Sequence, residues 1–136
     1  MRVKTLAILF AAMLSASAAS AGDDAINGTW SAQASSADAS SFIVTLNIQD
    51  VTRGTSVVTW DGGKCTGDLS GGARGNNSYV YDVHYIAGRR TKMEDPGCVD
   101  GVVSMTLSSP TEALYVWNGN DLDGRPMSAT TVLKKQ

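Results

Sequence analysis

From Phe42 onward this chain alternates. Phe42, Val44, Leu46 and Ile48 interleave with Ile43, Thr45, Asn47 and Gln49. A period of two residues gives a strand one apolar face, and that pattern recurs along the chain. Tyr79, Tyr81, Val83 and Tyr85 alternate with Val80, Asp82, His84 and Ile86. Val103, Met105 and Leu107 alternate with Val102, Ser104 and Thr106. Ala113, Tyr115 and Trp117 enclose Leu114 and Val116, a pattern that predicts cover on both faces. No stretch after the first twenty-one residues repeats apolar positions at helical spacing for three turns. Weaker strand signals lie at 28–32, 55–60, 66–69 and 127–133, which brings the expected number to about eight.

Turn residues separate these runs. Asp50 to Gly54, Asp61-Gly62-Gly63, Gly71 to Asn77, Ala87 to Gly97, Ser108 to Thr111 and Asn118 to Pro126 read as turns or loops. Ala34 to Ser41, rich in Ser and Ala, reads as a mobile loop. Short strands at regular spacing predict an all-β antiparallel meander. Closing about eight strands on themselves leaves no exposed edge, so a single small antiparallel β-barrel is the expected fold, with a β-sandwich as the alternative. Seven large aromatic residues in such a barrel predict a filled interior.

The N-terminus has a separate character. Arg2 and Lys4 precede a nine-residue apolar run, Leu6 to Leu14, and Ala19-Ser20-Ala21 has the small-x-small form of a processing site. The run is too short to span a bilayer and reads as a secretory signal over residues 1–21. A single domain over 22–136 is then expected in a bacterial periplasm or outside the cell. Loss of Arg2 and Lys4 leaves 9 basic against 13 acidic residues, a formal charge of −4. That balance argues against nucleic acid as a partner. No second long apolar run predicts a transmembrane segment.

In an oxidising compartment the two cysteines, Cys65 and Cys98, have one intramolecular pairing open to them. Each reads as the start of a strand. Closing their loop is worth about 3.5–4 kcal/mol on the chain-entropy model.

Sequence patterns for catalysis are lacking. His84 is the only histidine, and no serine sits in a nucleophile elbow. Glu94, Asp95, Asp100 and Glu112 fall mostly in turns, where solvation accounts for them. Asn118 to Gly124 has the look of a calcium loop. With Gly124 at the invariant glycine, however, Gly119 stands at the first liganding position and Thr130 where a bidentate Glu belongs. We therefore expect no catalytic residue, metal site or cofactor, and a protein that acts by binding another protein or an envelope component. The expected contact residues are Ser70, Arg74, Arg89, Arg90 and Lys92, read as lying in loops beside the disulfide.

Three resemblances bear on this reading. Gly28-Thr29-Trp30 resembles the G-x-W that opens the first strand of lipocalin-like and avidin-like barrels, whose Trp plugs one end. A small-ligand cavity of the calycin type follows from it as one expectation. Trp60, Cys65-Thr66-Gly67-Asp68-Leu69, Cys98 to Val102 and Leu114 to Trp117 look like the framework of small exported bacterial domains with one disulfide. The chain is also similar to the periplasmic inhibitors of c-type lysozyme, which are disulfide-bonded eight-stranded barrels. Ser70-Gly71-Gly72-Ala73-Arg74 resembles their Ser-Gly-rich inhibitory segment, with Gly75 where that family carries an aromatic. Inhibition of a hydrolase is what this likeness implies. A structural or host-interaction role is a further alternative.

Overall fold

A computed structural model describes residues 25–35 and 40–136. The expected signal, 1–21, and the middle of the expected loop, 36–39, lie outside the described residues. Eight strands follow in order: β1 (Gly28–Ser35), β2 (Ser41–Asp50), β3 (Arg53–Trp60), β4 (Gly63–Gly75), β5 (Ser78–Ala87), β6 (Gly101–Ser109), β7 (Glu112–Asn120) and β8 (Pro126–Lys135). They form a closed antiparallel barrel, each strand paired with the next. The sandwich alternative is excluded. Closure runs through Trp30 opposite Lys135 and Ser31 opposite Lys134.

The alternation works as expected along β2 and β5. Val44, Leu46 and Ile48 are buried, as are Tyr79, Tyr81, Val83 and Tyr85. β7 differs. Leu114 is 43% exposed, opposite Thr106 and Val132, so only one face of that strand is covered. A closed barrel has a single core, and outward positions lie outside it whatever their hydropathy.

Several boundaries shift. The expected turn at Gly71 to Asn77 shrinks, because β4 continues to Gly75 and pairs with β5 as far as Ser78. Asn77 then takes the left-handed conformation at φ 61°. Asn118 to Asn120 likewise belong to β7, leaving a tight turn with an Asp121 N–H to Arg125 carbonyl bond of 2.8 Å. Ala34 and Ser35 belong to β1 and Ser41 to β2. Gly-rich and Asn-rich segments read as turns by composition, yet nothing in their backbone prevents pairing once a neighbour offers a ladder.

The chain direction sorts the connections between two ends. The β2–β3, β4–β5 and β6–β7 turns share one end with the start of β1 and the end of β8. That end is plugged. Trp30 is fully buried there, and its indole N–H donates to the Ile26 carbonyl at 2.9 Å. The Lys135 ammonium stands 5.4 Å from the Trp30 ring centre and donates to the Ala25 carbonyl at 2.9 Å. The Tyr81 hydroxyl donates to the Val51 carbonyl at 3.0 Å and ties down the β2–β3 turn.

Candidate functional site

The opposite end is where β3 meets β4, β7 meets β8, and the long β5–β6 connection returns. It holds a cavity of about 470 Å³, within the range of small-molecule sites. The expected filled interior therefore holds only for the plugged half. Inward residues near that end converge on the cavity: Phe42 from β2, Val58 and Trp60 from β3, Tyr85 from β5, Tyr115 and Trp117 from β7. Met127 and Ala129 of β8 complete the wall.

Tyr85 and Tyr115 are each only 2% exposed and form part of the floor with Val58. Burial pushes the Tyr115 phenol well above its ordinary range and raises that of Tyr85. For Tyr85 the neighbouring Ser56 hydroxyl offsets part of this and the Asp100 charge adds to it. The floor is thus hydroxyl-bearing but uncharged.

Two tryptophans form walls because glycines leave them room. Trp60 lies against Gly63, its cross-strand partner, where a Cβ would come within 2.7 Å of the indole Cζ2. Trp117 lies against Gly101 and Gly119, where a Cβ would come within 2.6 Å of its ring at either position. Aromatic rings often cover cross-strand glycines in this way. The Trp117 indole nitrogen is buried and makes no hydrogen bond.

The β5–β6 connection roofs one side. Gly88 has φ 78°, and a Cβ there would lie 2.3 Å from the Lys64 carbonyl oxygen, so the chain leaves β5 through a position only glycine fills. The loop then doubles back. The Cys98 N–H donates to the Gly88 carbonyl at 3.0 Å, and the Arg90 N–H to the Cys98 carbonyl at 2.9 Å. The Cys65–Cys98 disulfide joins this loop to β4 with Cα atoms 6.3 Å apart. The expectation that both cysteines start strands is corrected. Cys65 is the third residue of β4, and Cys98 lies in the loop before β6, bridged to Arg89.

The five expected contact residues do not form one surface. Arg89, Arg90 and Lys92 lie in the pinned loop, close to the disulfide. Ser70 and Arg74 are strand residues of β4, not loop residues, and lead toward the plugged end. At about 3.3 Å per strand residue, Arg74 is roughly 30 Å along β4 from Cys65. Sequence position near a cysteine says nothing about direction along the barrel.

The two arginines of the loop are engaged by the chain. Arg89 donates to Asp100 at 2.7 Å and to the Tyr85 carbonyl at 2.9 Å. Asp100 also meets His84 Nδ1 at 2.9 Å and accepts from the Tyr85 N–H at 2.8 Å. Partial burial pushes its carboxyl up, but the bonds from Tyr85, Arg89 and His84 outweigh that and hold it below the usual carboxylate range. Arg90 donates to the Lys92 carbonyl at 3.3 Å and to the Met93 carbonyl, and its guanidinium stands 3.9 Å from Asp121.

Residue-level motifs miss the cavity walls. Phe42, Trp60, Tyr85, Tyr115, Trp117 and Met127 read from the sequence as core residues, caps or strand positions. The signal lies in their placement, each close to the same set of connections once the strands are laid antiparallel.

No protein-family model matches the chain, and a search among curated proteins gives no match. Solved structures do match. EF1p2_mFAP2b bound to DFHBI superposes with a TM-score of 0.66 at 15% identity, over 85% of this chain and 97% of that one. The redesigned beta barrel mFAP1 bound to DFHBI gives 0.58 at 18% identity, over 84% and 98%. A de novo designed fluorescence-activating beta barrel gives 0.53 at 18% identity, over 85% and 97%. The likeness is one of fold, and it places this chain among small β-barrels.

Proposed function

We propose that this protein is an exported, non-enzymatic barrel that holds a small, mainly apolar ligand in the cavity at its open end. The observation that carries the reading is the cavity itself: about 470 Å³, walled by aromatic side chains and floored by neutral phenols. Apolar walls with a few convergent hydroxyls are the usual composition of a ligand pocket. Barrels of the same fold bound to DFHBI lend support. Export is supported by the disulfide and by the signal-like residues 1–21. Inhibition of a c-type lysozyme draws no support from the arrangement, because its expected contact residues divide between the two ends.

Trp60 and Trp117 line the cavity, so tryptophan emission reports occupancy. Titrating the oxidised protein with a neutral aromatic probe should change that emission in a saturable, one-to-one manner. Trp117→Leu should reduce the response and weaken binding. No saturable change with neutral, cationic or anionic aromatic probes would refute the reading.

A further inference from the structure

The mouth of the cavity carries charge, and its sign is decided by which charges the chain has already used. Three charged residues line it: Arg90, Glu94 and Asp95. Arg90 is spent on the loop and the neighbouring turn, with its guanidinium directed to the Lys92 and Met93 carbonyls and standing near Asp121. A guanidinium held on three sides is a tether, with little left to offer an incoming anion. Asp121 also offsets its charge. Arg89 is likewise taken by Asp100. Lys92 shares the loop but does not line the cavity.

Glu94 and Asp95 are different. Both are exposed at the rim, and no ion pair engages either carboxylate among the described residues. Behind them stand the indoles of Trp60 and Trp117 and the ring of Phe42. Aromatic faces attract cations through the ring quadrupole, most strongly for Trp. Two carboxylates and two indoles at one mouth favour the same kind of guest. The floor, with Val58, Ala129 and two phenols kept neutral by burial, suits an uncharged body.

Building on the ligand-cup reading, we propose that the cavity selects organic cations: an apolar body reaching the floor, and an ammonium-type head at the mouth between the indoles and the Glu94–Asp95 carboxylates.

Three probes with one naphthylmethyl body separate this proposal from the reading beneath it: a trimethylammonium, a methyl ether and a sulfonate, each titrated calorimetrically into the oxidised protein. The ammonium should bind roughly tenfold tighter than the ether, the combined effect of cation–π attraction and rim carboxylates. The sulfonate should bind weakest. Glu94→Gln with Asp95→Asn should cut the ammonium's advantage about threefold, since exposed charge pairs are individually weak, and leave the ether unchanged. Equal binding of ether and ammonium, or preference for the sulfonate, overturns the cation proposal and leaves the cup standing. Binding of none of the three removes both. Full retention of the advantage in the double variant overturns the role of Glu94 and Asp95.

Discussion

Single residues decide whether this barrel has a cup. Trp60 and Trp117 stay against the wall because their strand neighbours have no side chains. Gly63 is the cleaner test, since the three atoms nearest an added Cβ there, at 2.7, 2.9 and 3.2 Å, all belong to the Trp60 ring. Gly63→Ala should therefore push the indole off the wall and into the cavity. The expected result is a several-fold loss of affinity for the neutral aromatic probe. Unfolding free energy should change by no more than about 1 kcal/mol, because Ala also lowers the entropy of the unfolded chain. Probe titration beside denaturant unfolding checks both parts. Unchanged affinity would mean that Trp60 is not a wall of the site. None of this is legible in Trp60-Asp61-Gly62-Gly63, which reads simply as a strand end and a turn. A glycine's role as space for a neighbour's ring emerges only when cross-strand pairing puts the two together.

The element that matters most is the connection from β5 to β6. Two of its supports are the Cys65–Cys98 bond and the Arg89–Asp100–His84 cluster. Replacing both cysteines by alanine should lower stability by up to about 3.5–4 kcal/mol, the chain-entropy value for a loop of this length. It should also weaken ligand binding, since Cys98 lines the cavity and its neighbours form the roof. Denaturant unfolding and probe titration of the double variant read the two effects separately. A stability loss with full affinity retained would show that the barrel alone shapes the site. Acid should act on the second support. The Asp100 carboxyl is held below its ordinary value in the folded state. Its contribution is thus present above the unfolded carboxylate pKa and fades as pH falls through the lower folded one. Sequence reading finds the disulfide because only two cysteines exist, and it finds the basic cluster by composition. It does not find Asp100 as the loop's anchor, since Asp100 lies fifteen residues from Tyr85 and eleven from Arg89 along the chain.

The whole molecule is divided: one end packed, the other hollow. Trp30, Tyr81 and Leu133 lie fully buried toward the packed end, and Tyr85 and Tyr115 mark the boundary with the cavity. Burial raises the phenol pKa of Tyr81, Tyr85 and Tyr115 alike. A raised folded value means that these groups favour the native state fully below the unfolded tyrosine pKa near 10 and lose that contribution as pH rises beyond it. In an alkaline titration, most phenolate absorbance should then develop together with loss of the β-sheet circular dichroism signal. Ionisation of all four tyrosines at ordinary pH with the sheet signal intact would contradict the buried placement.

The number of strands, the inward face of the alternating ones such as β2 and β5, the antiparallel order and the sulfur bridge were determined by the sequence, because each rests on neighbours a few residues apart or on there being no other choice of partner. Depth along the barrel axis was decided by the tertiary structure alone. Alternation tells a side chain which face to take, but it is blind to whether that face meets packed core or open space. Only closure of eight strands, with the long connections gathered at one end, separates Trp30 as a plug from Trp117 as a wall.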